Sequence, residues 1–399
     1  MVMNIDRFPM GFWNYVPTGI YGPEAVKDWQ DAGMTLTMGP GYNPKHHKKQ
    51  DMLDLLNECE NKNIKIIMCD SRTSWAGVDD EPAFRKEVKD AMDDFGSHPA
   101  VFGFHIGDEP GLWDIKDIER SIKAVRIVKE LAPELHPFVN HMGVHDELYC
   151  SFNRSFKDVL IEWTEKARPD FLCYDCYTQM NPGTSGWNTY CYNLETYRDI
   201  ANRYNIPFWT TLLSVGHWRY RCPTEDDLRW QLNTAAAHGA KGVLWFFFYM
   251  RKPHENFRLA PIDERWERTE TFTWLSRTNF SFNNWHAPLL KRLELEKAYH
   301  VHQAWGGVEL FHAGADEFVK EVNSFHGVPL VLSRFKDKDA HRYVALVNNS
   351  QTESTRVKIV FKGRDIELYS IDWLCKEEHV PSFDDNIKEG DTFSCLLWL

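Results

Sequence analysis

The sequence predicts an α/β chain: a (β/α)8 TIM barrel over residues 1–303, followed by a small all-β antiparallel domain over residues 304–399. Three observations carry this. Eight short apolar runs alternate with amphipathic segments over about 250 residues, the usual extent of such a barrel. Polar side chains gather at the C-terminal ends of those runs, where barrels of this class place their chemistry. Beyond Gly306-Gly307 the texture changes to short alternating runs separated by turn residues.

The runs follow in order. Met10–Tyr15 is a first strand, with a helix near residues 23–32 behind it, and Met34–Met38 is a second, closed by Gly39-Pro40-Gly41. The next helix carries Met52, Leu53, Leu55, Leu56 and Cys59 at helical spacing. Ahead of it, His46-His47-Lys48-Lys49 reads as a solvated helix start. Ile64–Cys69 is the third strand, tipped by Asp70, and a charged helix over 83–95 leads to the fourth. That fourth run, Ala100–Ile106, is apolar throughout and then meets Gly107-Asp108-Glu109-Pro110. A strand buried on both faces reads this way.

A helix over 115–131 with an Ile118, Ile122, Val125, Val128 stripe precedes a fifth strand at 136–140. Helix 156–167 leads to strand 171–175, and helix 194–204 to strand 208–214. Thr224, followed by three acids, is a well-signalled helix start. The eighth strand, 242–249, is the most apolar. Residues 266–302 read as a long helical stretch interrupted at Pro288; strands at 308–311, 318–322, 330–335, 343–347, 357–361, 366–371 and 394–399 follow. A doubly wound open sheet would carry a glycine-rich phosphate turn after the first strand, and Trp13-Asn14-Tyr15 is not one.

Composition narrows the function. A formal net charge of -12 argues against nucleic acid or an anionic membrane as the main partner. No apolar run approaches the roughly 20 residues that span a bilayer. Residues 1–9 lack a basic stretch followed by an apolar one, so no signal peptide and a cytoplasmic location are expected. The nine cysteines are odd in number and scattered, as reduced thiols are. Cys173 and Cys176 lie close but in a predicted strand without a second metal-type pair, so no metal site and no cofactor are expected.

The strand ends bring together one set of candidates. Trp13, Asn14, Tyr15, Asp70, His105, Asp108, Glu109, Asn140, His141, Tyr174, Asp175, Tyr177, His217, Trp218, Trp245 and Tyr249 are expected around one pocket. Carboxylates and amides bind hydroxyls, and indoles and phenols stack on the C–H faces of sugar rings, so the expected partner is a carbohydrate. Glycosidic cleavage needs a carboxyl that donates a proton and a second that stabilises or attacks the anomeric carbon. Glu109 is the expected general acid/base: its arm is the longer, and apolar surroundings would raise its pKa. Asp175 is the second carboxylate, with fixing His141 or Arg72 as its alternative role. Asp70 is read as a sugar-hydroxyl or structural acid, His105 as a satisfied barrel histidine, and Trp209 as core. Trp187 and Trp218 are expected as exposed stacking platforms, and Glu255 is an outlying candidate for a further carboxylate.

Gly107-Asp108-Glu109-Pro110 after a buried strand resembles the fourth-strand motif of barrel glycoside hydrolases, and is similar to the Asn-Glu-Pro of clan A with its acid/base glutamate. Asp170–Asp175, Ile206–Trp209, Arg229–Gln231 and Gly239–Gly242 resemble segments of bacterial β-galactosidase-like proteins, so the likeness covers the whole barrel. It implies a hydrolase acting on O-glycosidic bonds. One departure stands out: clan A places its nucleophilic glutamate at the end of the seventh strand, and Trp209–His217 contains no acid. His105–Glu109 is also similar to the Asp-Glu pair of β-N-acetylhexosaminidases. That likeness would have Asp108 orient a substrate 2-acetamido group, Glu109 act as acid, Tyr174 or Tyr177 hold the acetamido oxygen, and Trp245 wall the sugar. A catalytically inactive carbohydrate-binding barrel is the remaining alternative.

Overall fold

The computed structural model describes residues 6–143, 154–251, 256–362, 367–371, 377–380 and 392–397. Eight parallel strands make one sheet: β1 (Met10–Phe12), β2 (Leu36–Tyr42), β3 (Lys65–Asp70), β4 (Val101–Asp108), β5 (His136–Met142), β6 (Leu172–Asp175), β7 (Phe208–Leu213) and β8 (Val243–Phe246). Strands β2 to β8 pair in sequence order, and β8 pairs with β1, Met10 opposite Val243. Each strand is followed by a helix: α1 (Ala25–Asp31), α2 (Lys49–Asn61), α3 (Glu81–Ala91), α4 (Lys116–Leu131), α5 (Phe156–Ala167), α6 (Trp187–Arg203), α7 (Glu225–Ala237) and α8 (Glu270–Trp285), with a short α9 (Ala287–Leu290). The barrel expected from the sequence is the barrel observed.

The seam between β1 and β2 closes by a different device. Two threonine hydroxyls take the place of ladder partners. The Met10 N–H donates to Thr35 Oγ1 at 2.9 Å and the Phe12 N–H to Thr37 Oγ1 at 3.0 Å. Thr37 Oγ1 donates back to the Phe12 carbonyl at 3.1 Å. The strands lie so close that a Cβ on Gly11 would sit 1.9 Å from the Leu36 carbonyl oxygen, which only glycine avoids. At the end of β7, Gln231 of α7 accepts the Leu213 N–H at 2.8 Å and donates to the Leu213 carbonyl at 3.1 Å.

Strand alternation divides the core in two. Leu36, Met38, Ile67, Phe102, Phe138, Phe171, Trp209 and Leu244 fill the barrel interior. Met10, Phe12, Ile66, Phe104, Val139, Leu172, Tyr174 and Trp245 point outward beneath the helices. Trp209 stacks on Phe171 at 4.1 Å and on Phe102 at 5.8 Å, so aromatic layers plug the lower barrel. Much of the chain's aromatic content is thus packing. The buried faces of the helices follow their sequence stripes: Met52, Leu55, Leu56 and Cys59 on α2, and a Thr224–Asp227 capping box at the start of α7.

Residues 294–301 overturn the helical expectation for 266–302. They form β9 (Glu294–Val301), paired antiparallel with β11 (Leu330–Lys336). The burial along β9 shows why a charged run misled: its first half is exposed or half-buried and only Ala298–Val301 is core. The all-β module also contains β10 (Val319–Ser324), β12 (Arg342–Asn348), β13 (Val357–Phe361), β14 (Glu367–Ile371), β15 (Glu377–Val380) and β16 (Thr392–Leu397). Its ladders are antiparallel, except that β16 runs parallel to β12 and β14. Residues 308–311 contribute only an isolated bridge, Leu310 to His300. The module docks on the barrel through Trp230 Nε1, which donates to Asn349 Oδ1 at 3.0 Å, and Ser333 Oγ, which donates to the Ala237 carbonyl at 2.7 Å.

The seam yields a prediction. Thr37→Val keeps the shape but removes both partners of Phe12, and should lower unfolding stability by about 2–3 kcal/mol. Urea denaturation checks it; an unchanged midpoint would show that the barrel closes without these hydroxyls.

Candidate active site

Alternation also decides which strand-end residues meet. On β5 and β6 the inward positions are Asn140 and Asp175, and the outward ones are His141 and Tyr174. On β4 a register shift between His105 and Gly107 leaves Ile106 as an extra residue opposite β5, and this bulge sets Asp108 across from Asn140. Gly107 must lack a side chain: a Cβ there would lie 2.4 Å from the Trp75 indole that covers the strand end.

Asn140 is the hub. Its Nδ2 donates to Asp108 Oδ1 at 3.0 Å and to Asp175 Oδ1 at 2.9 Å, while its main-chain carbonyl accepts the Glu109 N–H at 2.7 Å. Two acceptors on one amide nitrogen lie about 5–6 Å apart. Thr211 Oγ1 reaches Asn140 Oδ1 at 3.4 Å and so orients the amide. The Tyr177 hydroxyl gives Asp175 a second hydrogen bond. Glu109 follows in a left-handed backbone conformation, φ 48°, rare for a residue with a Cβ and a mark of local strain.

Three carboxyls therefore meet with no lysine or arginine paired to them among the described residues. Loss of water disfavours their charged forms, and each charge disfavours the next. Glu109 is pushed up to about 9, first by burial and then by Asp175 and Asp108. Asp108, facing the open side of the cleft, is raised to about 7 by desolvation and by Asp175, against the Asn140 hydrogen bond. Asp175 is raised least, to about 6: burial lifts it, while Asn140 and Tyr177 hold its charge. A protonated donor beside an ionised neighbour at neutral pH is what this arrangement provides.

Aromatic rings stand around the acids. Tyr177 stacks on Phe246 at 5.5 Å, and His217 meets Tyr177 edge-on at 6.0 Å. Tyr15, 40% exposed, has its phenol raised first by desolvation and then by the three carboxyls, against Arg251, which lies over its ring at 4.1 Å. Phe246 and Arg251 were not singled out from the sequence. Phe246 is adjacent to the tryptophan that was, and only the facing direction separates them. Trp218 stands 63% exposed on the loop after β7. Trp113, 89% exposed just beyond Glu109, is a further open indole that sequence reasoning missed.

Other expected residues lie elsewhere. Trp245 is fully buried outside the barrel wall, its Nε1 donating to Asn279 Oδ1 at 3.0 Å, so it cannot wall a sugar. Tyr249 accepts from Trp29 Nε1 at 2.6 Å under the helices. Tyr174 stacks on Tyr197 at 3.9 Å, and His141 packs edge-on against Trp163 at 4.3 Å, both on the outward face. Asn14 is a structural clamp: its amide donates to the Tyr21 hydroxyl at 2.7 Å and its Oδ1 accepts the Val16 N–H. Trp13 lies in the barrel interior, edge-on to His105.

Asp70 is held by Arg72 through both oxygens at 3.0 and 2.7 Å, making it a structural acid. Arg72 also takes Asp94, so Asp175 fixes neither Arg72 nor His141. Trp187 is sandwiched between Trp230 and Trp305, each at 4.6 Å, as a staple to the β module. His105 leaves its buried Nε2 without a partner among the described residues, unlike the satisfied histidine expected. His47 is half-buried and accepts the Asn43 N–H on Nδ1 at 2.9 Å, rather than standing in solvent. Glu255 lies outside the described residues. Among the described residues, the only cluster of three or more potential metal ligands is Asp337, Asp339 and His341, on the β11–β12 hairpin.

No protein-family model matches the chain, and no curated protein matches it by sequence. Solved structures do match in fold. The chain is similar to the β-galactosidase of the psychrophilic Marinomonas ef1, with a TM-score of 0.54 and 11% identity over 68% of this chain and 59% of that one. It is similar to the β-galactosidase of Bacillus circulans sp. alkalophilus at TM-score 0.54 and 12% identity, over 75% and 59%. The polyextremophilic β-galactosidase of the Antarctic haloarchaeon Halorubrum lacusprofundi follows at 0.52 and 14%, over 69% and 58%. The chain thus spans about three fifths of the length of these structures, and at such identities the likeness is one of fold.

The raised carboxyl makes a stability prediction. A group whose folded pKa is raised keeps its proton longer folded than unfolded, so its contribution falls as pH rises from the ordinary carboxylate range towards 9. Glu109→Gln, always neutral, should match wild type at pH 4 and exceed it at pH 9 by about 1–3 kcal/mol. Denaturant melts at the two pH values read this directly. A variant less stable at pH 9 would mean that the carboxylate is favourably held.

Proposed function

We propose that the chain is a glycoside hydrolase in which Glu109 is the general acid/base. The observation that carries this is the environment of Glu109: a strained, half-buried carboxyl at the mouth of a barrel, unpaired with any described cation and raised by two neighbouring acids. In the forward step Glu109 protonates the leaving glycosidic oxygen as the bond to the anomeric carbon breaks. Asp175, the easiest of the three to ionise, attacks that carbon; Glu109 then takes a proton from the water that releases the sugar. Asp108 shares the Asn140 amide with Asp175 and sets the charge between them. The substrate is a carbohydrate whose ring lies among Tyr15, Tyr177 and Phe246. The fold likeness to β-galactosidases supports the class and leaves the sugar open.

A second reading has its own support. Strand β7 ends without an acid, and Ser214 beyond it donates its hydroxyl to the Phe247 carbonyl at 3.0 Å. Asp175, meanwhile, is tied to two donors, as a positioning acid would be. In this case a substrate 2-acetamido oxygen attacks, Asp108 orients its N–H, and Tyr177 is the tyrosine within the site.

Glu109→Gln should lower kcat by about 10²–10⁴-fold without unfolding the protein. Wild-type turnover in that variant would end the proposal, and sugar binding without hydrolysis over a broad panel would leave a binding barrel. Asp175→Asn separates the mechanisms: collapse rescued by azide marks a nucleophile, and intact turnover of 2-acetamido sugars marks the substrate-assisted route. With Asp175 ionised and Glu109 protonated as the active form, kcat/KM should be bell-shaped. It should rise with pH near 6, where Asp175 ionises, and fall near 9, where Glu109 loses its proton. A plateau running through pH 9 would remove Glu109 as the acid.

A further inference from the structure

Beside the carboxyls, the ends of β1 to β4 frame an open cavity of about 390 Å³. Tyr15 and Gly107 line it, so it continues directly from the acids: Tyr15 senses their charge and Gly107 precedes Asp108 in the chain. The volume is at the small end of ligand pockets and has room for one sugar ring.

The lining is mostly apolar, with Asn43, His47, Ser71 and Ser74 set into it and the carboxylate of Asp70 tied to Arg72. His47 accepts a backbone N–H on Nδ1, so its neutral ring carries the proton on Nε2. Asn43 Oδ1 takes the Lys45 N–H, leaving the amide NH₂ for another acceptor. Ser71 and Ser74 bring hydroxyls. No lysine or arginine lines the cavity. The nearby guanidiniums lie behind the rings: Arg72 sits over Tyr42 and is spent on Asp70 and Asp94, and Arg251 lies on Tyr15. An anionic ligand would give up its water here without gaining a cation, next to an acid. A neutral ring can lay its C–H face on Tyr15 and Tyr42 and direct hydroxyls to Asn43, His47, Ser71 and Ser74.

We propose that this cavity is a second sugar subsite, which takes an uncharged pyranose ring joined to the one held at the carboxyls. The substrate is then an oligosaccharide of neutral sugars, at least two units long. This rests on the glycosidase reading above and adds the length and charge of the substrate.

The test uses full-length Glu109→Gln, which binds without turning over, titrated calorimetrically with galactose, glucose and mannose, with the β1,4-linked disaccharide of each, and with a glucuronate-terminated disaccharide. A neutral disaccharide should bind at least about tenfold tighter than its monosaccharide, the gain from one or two added hydrogen bonds. The gain should shrink to under about threefold when Ser71→Tyr fills the cavity, or when Asn43→Ala with His47→Ala strips its donors, and the glucuronate disaccharide should show none. Monosaccharide affinity is the internal reference in each variant. Ser71 is exposed, so its replacement keeps the test open if the double variant folds poorly. No gain on adding a second ring, a gain untouched by both variants, or a larger gain with glucuronate overturns the subsite. If wild type still hydrolyses aryl monosaccharides in that case, the acid chemistry stands and only the subsite falls. If nothing binds and nothing is cleaved, both fall.

Discussion

One asparagine holds the site together. Asn140 gives its two side-chain N–H bonds to Asp108 and Asp175 and its main-chain carbonyl to the backbone of Glu109, so all three acids are referred to a single residue. Two carboxylates this close repel, and no described cation relieves them. An NH₂ group is the smallest neutral device that can face both at once. Its neutrality matters as much as its geometry. A guanidinium in the same place would hold the acids too, but would drag every pKa down and leave no proton to donate. The chemistry proposed for Glu109 depends on a clamp that positions charge without cancelling it.

The same logic explains why the acids are not simply a helix cap. A capping carboxylate accepts backbone N–H groups. Asp70 caps in this way one strand earlier, where it takes the Arg72 N–H and guanidinium together. Glu109 has no hydrogen bond of this kind among the described residues, and the chain adopts a left-handed turn to place it. Two acids at adjacent strand ends thus have opposite fates, set by whether a cation is built beside them. Backbone strain and an unpaired carboxyl are each unfavourable to folding; together at one strand end they point to use.

The architecture was legible because periodicity carries it. Eight apolar runs, the Thr224 cap and the α2 stripe each appear where the pattern puts them, and the acid pair at the end of β4 is plain in the chain. Two kinds of information were not. The facing direction of each strand end depends on register, and a shift of one residue exchanges pocket for shell. Trp245 and Phe246, Tyr174 and Asp175, His141 and Asn140 are three adjacent pairs decided in this way, and the Ile106 bulge that sets β4 leaves no mark in composition. Tertiary partners are the other kind. Nothing near Asp70 in the sequence announces Asp94 as the second acid on Arg72, and nothing around Trp187 announces Trp305. β9 was lost for a related reason: a strand with only half its length in the core shows neither period cleanly.

The end of β7 carries no acid, unlike the ends of β4 and β6. Barrels tolerate change at strand ends because the lower layers, here Trp209 on Phe171 and Phe102, hold the scaffold without help from the rim. On β7 the rim has been turned to structure: Leu213 is closed by Gln231 and Ser214 is tied to Phe247. A carboxylate placed there would have to be desolvated against apolar Phe246 and Phe247, with no donor equivalent to Asn140. On β6, Asp175 has that donor and a tyrosine hydroxyl besides. If a second protein carboxylate takes part, the physics of burial places it on β6, because that is the rim position where a negative charge is already provided for.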